Sequence, residues 1–271
     1  MSFNLGVIGC GKMAYALLKG IHGSSEYRPD FIYVCDPDQD RVDLFSNDYK
    51  AVAMPAGDLV GKSQIVILAV KPGQVQEVLN NTAVFWNDQK LLISVAAGIK
   101  TVDLEKNLNN QPTRIVRVMP NTPSLVGEGM SAICAGSRTT DDDLNFVRAL
   151  LNGSGKSIII DEKYMDAVTA VSGSGPAYVF LLVEALMEAA VNAGLNSNIA
   201  RQLVLQTFKG SITMLEDSGE HPAILKAQVC SPGGTTIAGV RQLEAGGVRS
   251  AIFNAVEAAS IRSKELGEKK D

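Results

Sequence analysis

A short apolar run, Leu5-Gly6-Val7-Ile8, is followed at once by Gly9-Cys10-Gly11-Lys12-Met13-Ala14 and then by a helical pattern to about His22. No other feature restricts the fold as much. Two glycines one residue apart permit a tight turn, and the small Ala14 lets the new helix lie close against the strand it leaves. The helix start presents free N–H groups and the positive end of its dipole, a place for phosphate. A second strand, Phe31-Ile32-Tyr33-Val34-Cys35, ends at Asp36. In that context GxGxxA is a dinucleotide fingerprint: Gly9 makes the turn and Gly11 admits the pyrophosphate. Asp36 stands where a carboxylate hydrogen-bonds the ribose hydroxyls of NAD and repels the 2′-phosphate of NADP. Arg41, nearby in sequence, is a charge that would offset it.

The first half continues to alternate apolar runs with helical patterns. A helix fits Asp38 to Asn47, and Ala51 to Met54 is a weak strand. Gln64 to Val70 is a strong strand, long enough to be buried on both faces, with a helix from Gly73 to about Asn80 after it. Leu91 to Val95, Ile115 to Val118, Met130 to Cys134 and Lys156 to Ile160 are further strands, with a helix near Asp141 to Leu151. This alternation implies a doubly wound α/β domain with a mostly parallel sheet covered on both faces. After Asp161 the strand signals stop. Helices are expected at Met165–Val171, from Pro176, from a Ser197 cap to about Asp217, at His221–Val229, at Thr236–Glu244 and at Val248–Leu266. The expected division is therefore a dinucleotide-binding domain over 1–161 and an all-helical domain over 162–271.

Composition narrows the class. Hydrophobic residues make up 46% and charged residues 20% of 271, with 25 Lys and Arg against 29 Asp and Glu. That is ordinary globular chemistry without a nucleic-acid footprint. Four cysteines without a CxxC pair and two distant histidines offer neither a disulfide framework nor a zinc spacing, so a metal-free cytoplasmic protein is expected. Val7-Ile8-Gly9-Cys10 is not expected to be a lipoprotein box, because no basic and apolar leader precedes it. The long apolar stretch from Pro176 to Leu195 carries Glu184, Glu188 and Asn192 on one stripe. Carboxylates are expensive in lipid, so this helix is expected in a core or a subunit interface, not in a membrane.

Three loops at the carboxyl ends of strands are candidates for the second face of a cofactor site: Ala69-Val70-Lys71-Pro72, Val95-Ala96-Ala97-Gly98 and Met119-Pro120-Asn121-Thr122-Pro123. Small residues in the second leave room for a flat ring, and the prolines of the third aim Asn121. In the helical half, Ser231-Pro232-Gly233-Gly234-Thr235-Thr236 precedes a helix. Free backbone and hydroxyls without a cation suit a small carboxylate held by amides. Ser172-Gly173-Ser174-Gly175-Pro176 opens the long helix in a similar way.

Taken in order, GxGxMA, AVKP, AAG, MPNTP, SGSGPAY and SPGGTT closely resemble the pyrroline-5-carboxylate reductase family from about Leu5 to Leu266. The resemblance implies reduction of the C=N bond of 1-pyrroline-5-carboxylate to L-proline. It implies NADPH as the usual reductant, with NADH accepted. It also implies a homodimer with interlocked helical domains, a site combining both subunits, and further assembly, commonly to a decamer. Carried onto this chain, Ile8, Gly9, Cys10, Gly11, Lys12, Met13, Ala69, Val70, Lys71, Pro72, Val95, Ala96 and Ala97 would contact the cofactor. Ser231, Gly234 and Thr235 would hold the substrate carboxylate, and Thr236 would hydrogen-bond the ring nitrogen as the catalytic residue. Glu162 and the turn ending at Gly175 would lie beside the substrate. Asp36 departs from the small polar residue of many members, and Gln228 stands where some carry Asn.

The chemistry implied needs little from side chains. A protonated imine carbon is already electrophilic, so the task is positioning. A hydroxy-acid dehydrogenase needs a firm proton donor, and Ser172 to Phe180 contains no lysine to supply one. Two rival readings remain: a reductase of another small carboxylate, and a non-catalytic dinucleotide sensor. Cys230, Trp86, Lys71 and Arg117 are read as packing or cofactor-adjacent residues.

Overall fold

The fold was obtained as a computed structural model, which describes residues 2–23 and 27–268. Its strands are β1 (Asn4–Ile8), β2 (Phe31–Cys35), β3 (Val52–Ala53), β4 (Ile65–Leu68), β5 (Leu91–Ser94), β6 (Arg114–Met119), β7 (Gly129–Ala135) and β8 (Gly155–Ile159). Between them lie α1 (Lys12–Gly23), α2 (Gln39–Tyr49), α3 (Ala56–Lys62), α4 (Val75–Thr82), α5 (Thr101–Asn107) and α6 (Asp141–Leu151). Then follow α7 (Met165–Val168), α8 (Gly175–Asn192), α9 (Ser197–Ser218), α10 (Pro222–Val229), α11 (Thr235–Ala245) and α12 (Val248–Gly267). The chain divides into two compact units. The first is Met1–Ser174 with Ala258–Asp271, and the second is Gly175–Glu257.

In the first unit, the strands form one sheet in the order β3-β2-β1-β4-β5-β6-β7-β8. Every pair is parallel except β6 with β7. That exception follows from the short link between them, a 3-10 turn over Thr122–Val126 ending at a left-handed Gly127, too brief for a crossover helix. The continuous apolar strands are explained by burial on both faces. Leu5, Val7, Ile65, Ile67, Leu91 and Ile93 pack under α1, α2 and α6, while Val66, Leu68 and Leu92 pack under α3, α4 and α5. Alternate side chains of one strand thus serve two cores. Ile67 and Leu92 are essentially inaccessible, and truncating either to Ala would cost about 2–5 kcal/mol. The fold is the doubly wound sheet with a following helical region that the sequence implies.

Some local readings change. Asn196, not Ser197, caps α9: its Oδ1 accepts from Ile199 N–H at 3.0 Å. The helix read as Met165–Val171 is α7 followed by a π-turn over Thr169–Gly173, closed by Ser174 N–H to Thr169 O at 2.8 Å. Helices α3 and α5 have no counterpart in the sequence reading. Lys90 Nζ holds the end of α3 by donating to Val60 O at 2.6 Å and Ser63 O at 2.8 Å.

The second unit is helical and poorly covered. No side chain of α8 is buried, and in α9 only Ala200 and Val204 are. Phe180, Leu181 and Phe253 are 66%, 63% and 77% exposed. The segment Glu162–Asn192 is long and apolar enough to cross a bilayer by length and composition. Apolar area on this scale marks a contact surface.

Candidate functional site

At the carboxyl ends of β1, β2 and β4 the first unit opens into a cleft of about 510 Å3. The strand order reverses here, β2 lying on one side of β1 and β4 on the other, which is where doubly wound sheets bind ligands. The cleft brings together Ile8, Gly9, Gly11, Asp36, Ala69, Val70 and Lys71. Gly9 has φ +93°, and a Cβ on it would press on the Ala69 backbone. A Cβ on Gly11 would meet nothing within 4 Å, so the turn leaves open space in front of the α1 start. No acidic residue occupies the first turn of α1. Free N–H donors, a dipole end and vacant volume fit a pyrophosphate. Lys12 and Met13 sit on that first turn, while Cys10 is buried behind it.

Asp36 is fixed at the cleft's rim. Its Oδ2 accepts from Cys10 N–H at 2.6 Å, and its Oδ1 accepts from Asp38 N–H at 2.9 Å. Arg41 is engaged by Asp38, with Nε 3.2 Å from its Oδ2. Burial, helped by Asp36 and then Cys35, pushes the Cys10 thiol up to about 12. The Cys35 thiol is raised by burial and by Asp36. Neither is a nucleophile at neutral pH.

The remaining cofactor candidates lie outside this cleft's lining. Pro72 opens the turn after Lys71. Val95, Ala96 and Ala97 follow β5, and the loop turns at Gly98 with φ +79°. Asn121 spends its amide as a brace: Oδ1 accepts from Met130 N–H at 2.9 Å, and Nδ2 donates to Ser172 O at 3.2 Å and Ser172 Oγ at 3.3 Å. Glu162 is a brace as well. Its Oε1 accepts from Thr101 N–H at 2.8 Å and Arg117 Nη1 at 3.0 Å, and its Oε2 accepts from Thr101 Oγ1 at 2.8 Å. It therefore ties the start of α5 to β6 beside the Val95–Gly98 loop. Arg117 is 3% exposed, and its Nη2 has no hydrogen-bond partner.

In the second unit, Ser231 to Gly234 forms a compact turn into α11. Gly234 N–H donates to Ser231 O at 3.1 Å, and Gly233 has φ +69°. A Cβ on Gly234 would overlap Ser231 Oγ. No side chain caps α11, so Thr235 and Thr236 begin a helix whose first N–H groups have no intrahelical acceptor. Gly175 begins α8 directly after the π-turn. His221 is accounted for as the cap of α10, Nδ1 accepting from Ala223 N–H at 3.2 Å.

Sequence reasoning missed Thr101, Gln74 and Val78. Gln74 and Val78 both line the cleft, and their i, i+4 spacing on a helix beginning beside Lys71 was the available signal. Thr101 carried none, since its partner is 61 residues away.

Comparison with known proteins agrees across the chain. Residues 162–266 match the family model described as pyrroline-5-carboxylate reductase dimerisation. Residues 4–98 match one described as NADP oxidoreductase coenzyme F420-dependent. Pyrroline-5-carboxylate reductases of Synechocystis and Arabidopsis thaliana are 43% and 42% identical to it. The alignments cover 99% of this chain and 100% of the Synechocystis protein, and 98% and 96% for Arabidopsis. The crystal structure of Plasmodium falciparum pyrroline carboxylate reductase with NADP bound superposes with a TM-score of 0.89 at 36% identity, covering 98% of each chain.

Proposed function

Because the chain belongs to the pyrroline-5-carboxylate reductase family, we infer that it reduces the C=N bond of 1-pyrroline-5-carboxylate to L-proline as an NAD(P)H-dependent oxidoreductase. The observation that carries the reading is the alignment over nearly the whole of both chains, which includes the uncapped SPGGTT helix start. We assign residues 1–161 to dinucleotide binding and 162–271 to substrate binding and dimerisation.

A bound nicotinamide supplies the hydride. The chain's own residues hold and orient. Gly9, Gly11 and the first turn of α1 take the pyrophosphate, with Ile8, Cys10, Lys12 and Met13 around them. Asp36 faces the adenosine ribose. Ala69 to Pro72 line the opposite wall, and Val95, Ala96 and Ala97 give the nicotinamide a flat seat. Asn121 acts by positioning, through its bonds to Met130 and Ser172. Ser231 Oγ and the N–H of Thr235 hold the substrate carboxylate, and Gly234 leaves the backbone open for it to approach. Thr236 Oγ1 hydrogen-bonds the ring nitrogen and steadies its charge as the iminium becomes an amine. Glu162 holds the start of α5 and β6 together through Thr101 and Arg117, and Gly175 keeps the start of α8 open for substrate.

The exposed apolar helices are the dimer surface, and further assembly to a decamer follows the family habit. We place the protein in the cytoplasm, with α8 as a subunit contact rather than a membrane span; Glu184 and Glu188 on its surface fit that reading. The test is loss of reduced-nicotinamide absorbance with pyrroline-5-carboxylate. Turnover that forms L-proline is expected. Nucleotide binding without turnover would overturn the reading.

A further inference from the structure

We infer that Asp36 makes NADH, not NADPH, the preferred reductant of this chain; the inference rests on reading the β1–β2–β4 cleft as the NAD(P)H site. The carboxylate stands at the end of β2, the position that meets the adenosine ribose in dinucleotide-binding sheets. Its direction is not free. The Cys10 N–H holds Oδ2 at 2.6 Å and the Asp38 N–H holds Oδ1 at 2.9 Å. One of these donors belongs to the glycine turn itself, so Asp36 cannot swing away without disturbing that turn. Each oxygen keeps a second lone-pair direction. A ribose 2′-hydroxyl can donate to it. A 2′-phosphate brings only acceptors and a like charge, and a like charge held against a fixed carboxylate is strongly unfavourable.

The nearby cations do not reverse this. Arg41 is bound through Nε to Asp38, which also accepts from the Arg41 N–H at 3.4 Å as the cap of α2. A 2′-phosphate approaching the rest of this guanidinium would come up against both Asp38 and Asp36, which line the same cleft. Lys71 follows β4, on the other side of β1 from Asp36. The adenosine rim therefore offers two carboxylates against one guanidinium, which is paired through Nε with one of them.

The test is direct binding of NADH and NADPH by nucleotide fluorescence titration, with 5′-AMP and adenosine 2′,5′-bisphosphate as competitors that differ only in the 2′-phosphate. Wild type is expected to bind NADH about tenfold or more tighter than NADPH, and 5′-AMP tighter than the bisphosphate. Raising ionic strength should narrow the gap. Asp36→Asn keeps an acceptor for the Cys10 N–H and removes the charge, so it should tighten NADPH and bring the ratio to about one. Equal or tighter NADPH binding by wild type overturns the inference and leaves the reductase assignment standing. An unchanged ratio in Asp36→Asn also overturns it. Binding of neither nucleotide overturns both. The wild-type ratio is read without any variant, so a poorly folded Asp36→Asn does not remove the test.

Discussion

Replacing Glu162 with Ala separates a structural brace from a substrate contact. The carboxylate accepts three hydrogen bonds, two from Thr101 and one from Arg117. Arg117 is 3% exposed and already has one unpartnered nitrogen. Its removal leaves a buried guanidinium without its counter-ion, which costs about 3–5 kcal/mol. Glu162 is 26% exposed, so water partly replaces it and the lower end applies. Losing the contact at the start of α5 adds about 1 kcal/mol, partly shared with the first loss. The expected destabilisation is about 3–4 kcal/mol, or a Tm lower by roughly 6–16 °C for a chain of this size. The measurement is urea and thermal unfolding at fixed protomer concentration, because assembly contributes to apparent stability. Adding Arg117→Met should recover at least about 1 kcal/mol, since the stranded charge goes with it. Unfolding within about 1 kcal/mol of wild type, together with a tenfold rise in the KM for pyrroline-5-carboxylate, would refute the brace and make Glu162 a substrate contact.

Gly234→Ala would overlap Ser231 Oγ, so it should raise the KM for pyrroline-5-carboxylate by at least about tenfold while leaving the Kd for nucleotide unchanged; steady-state kinetics and titration together check this. Thr236→Val, which keeps shape and deletes the hydroxyl, should lower kcat by about 10–100-fold, consistent with losing one hydrogen bond to a charged nitrogen. An unaltered kcat would remove Thr236 from the chemistry. Burial pushes the thiols of Cys10 and Cys134 from 9.0 up to about 12. Between those values the unfolded chain releases protons that the folded chain retains, so stability is intact below pH 9 and falls above it, by up to about 1.4 kcal/mol per pH unit for each thiol. Urea unfolding of wild type and Cys10→Ala/Cys134→Ala at pH 8, 9.5 and 10.5 should show a shallower decline in the variant.

What the sequence made legible was whatever is encoded locally. Runs such as Ile65 to Leu68 are apolar at every position because both faces are buried, and that pattern needs no partner to be seen. The glycine turn and the SPGGTT turn are legible for the same reason: their φ angles and missing Cβ atoms are properties of the residues themselves. Helix α5 was not, because no side chain of its own caps it and Glu162, 61 residues later, binds its first N–H. Helix α3 contains Gly57 and Gly61, poor helix formers, and is held by Lys90 from another element. Asn121 was legible as an aimed side chain, while its targets, Met130 and Ser172, required the fold. Asp36 was legible as the carboxylate that ends β2, while its hydrogen bond from the Cys10 N–H across the parallel strands required the fold.

The first unit is closed by the last helix. Ser263 Oγ donates to Asp166 Oδ1 at 2.7 Å, and Gly267 lies against Gly98, whose loop follows β5. During synthesis the strands emerge long before this helix does. The whole of 175–257 must be translated first, several seconds at about 5–20 residues per second. Until then the loop after β5 lacks the backbone that rests on it, and the nascent chain displays uncovered apolar helices at the same time. The ribosome-bound protein thus passes through an obligatory incomplete stage. A fusion that interferes with residues 258–267 would prolong that stage without touching any residue of the nucleotide cleft.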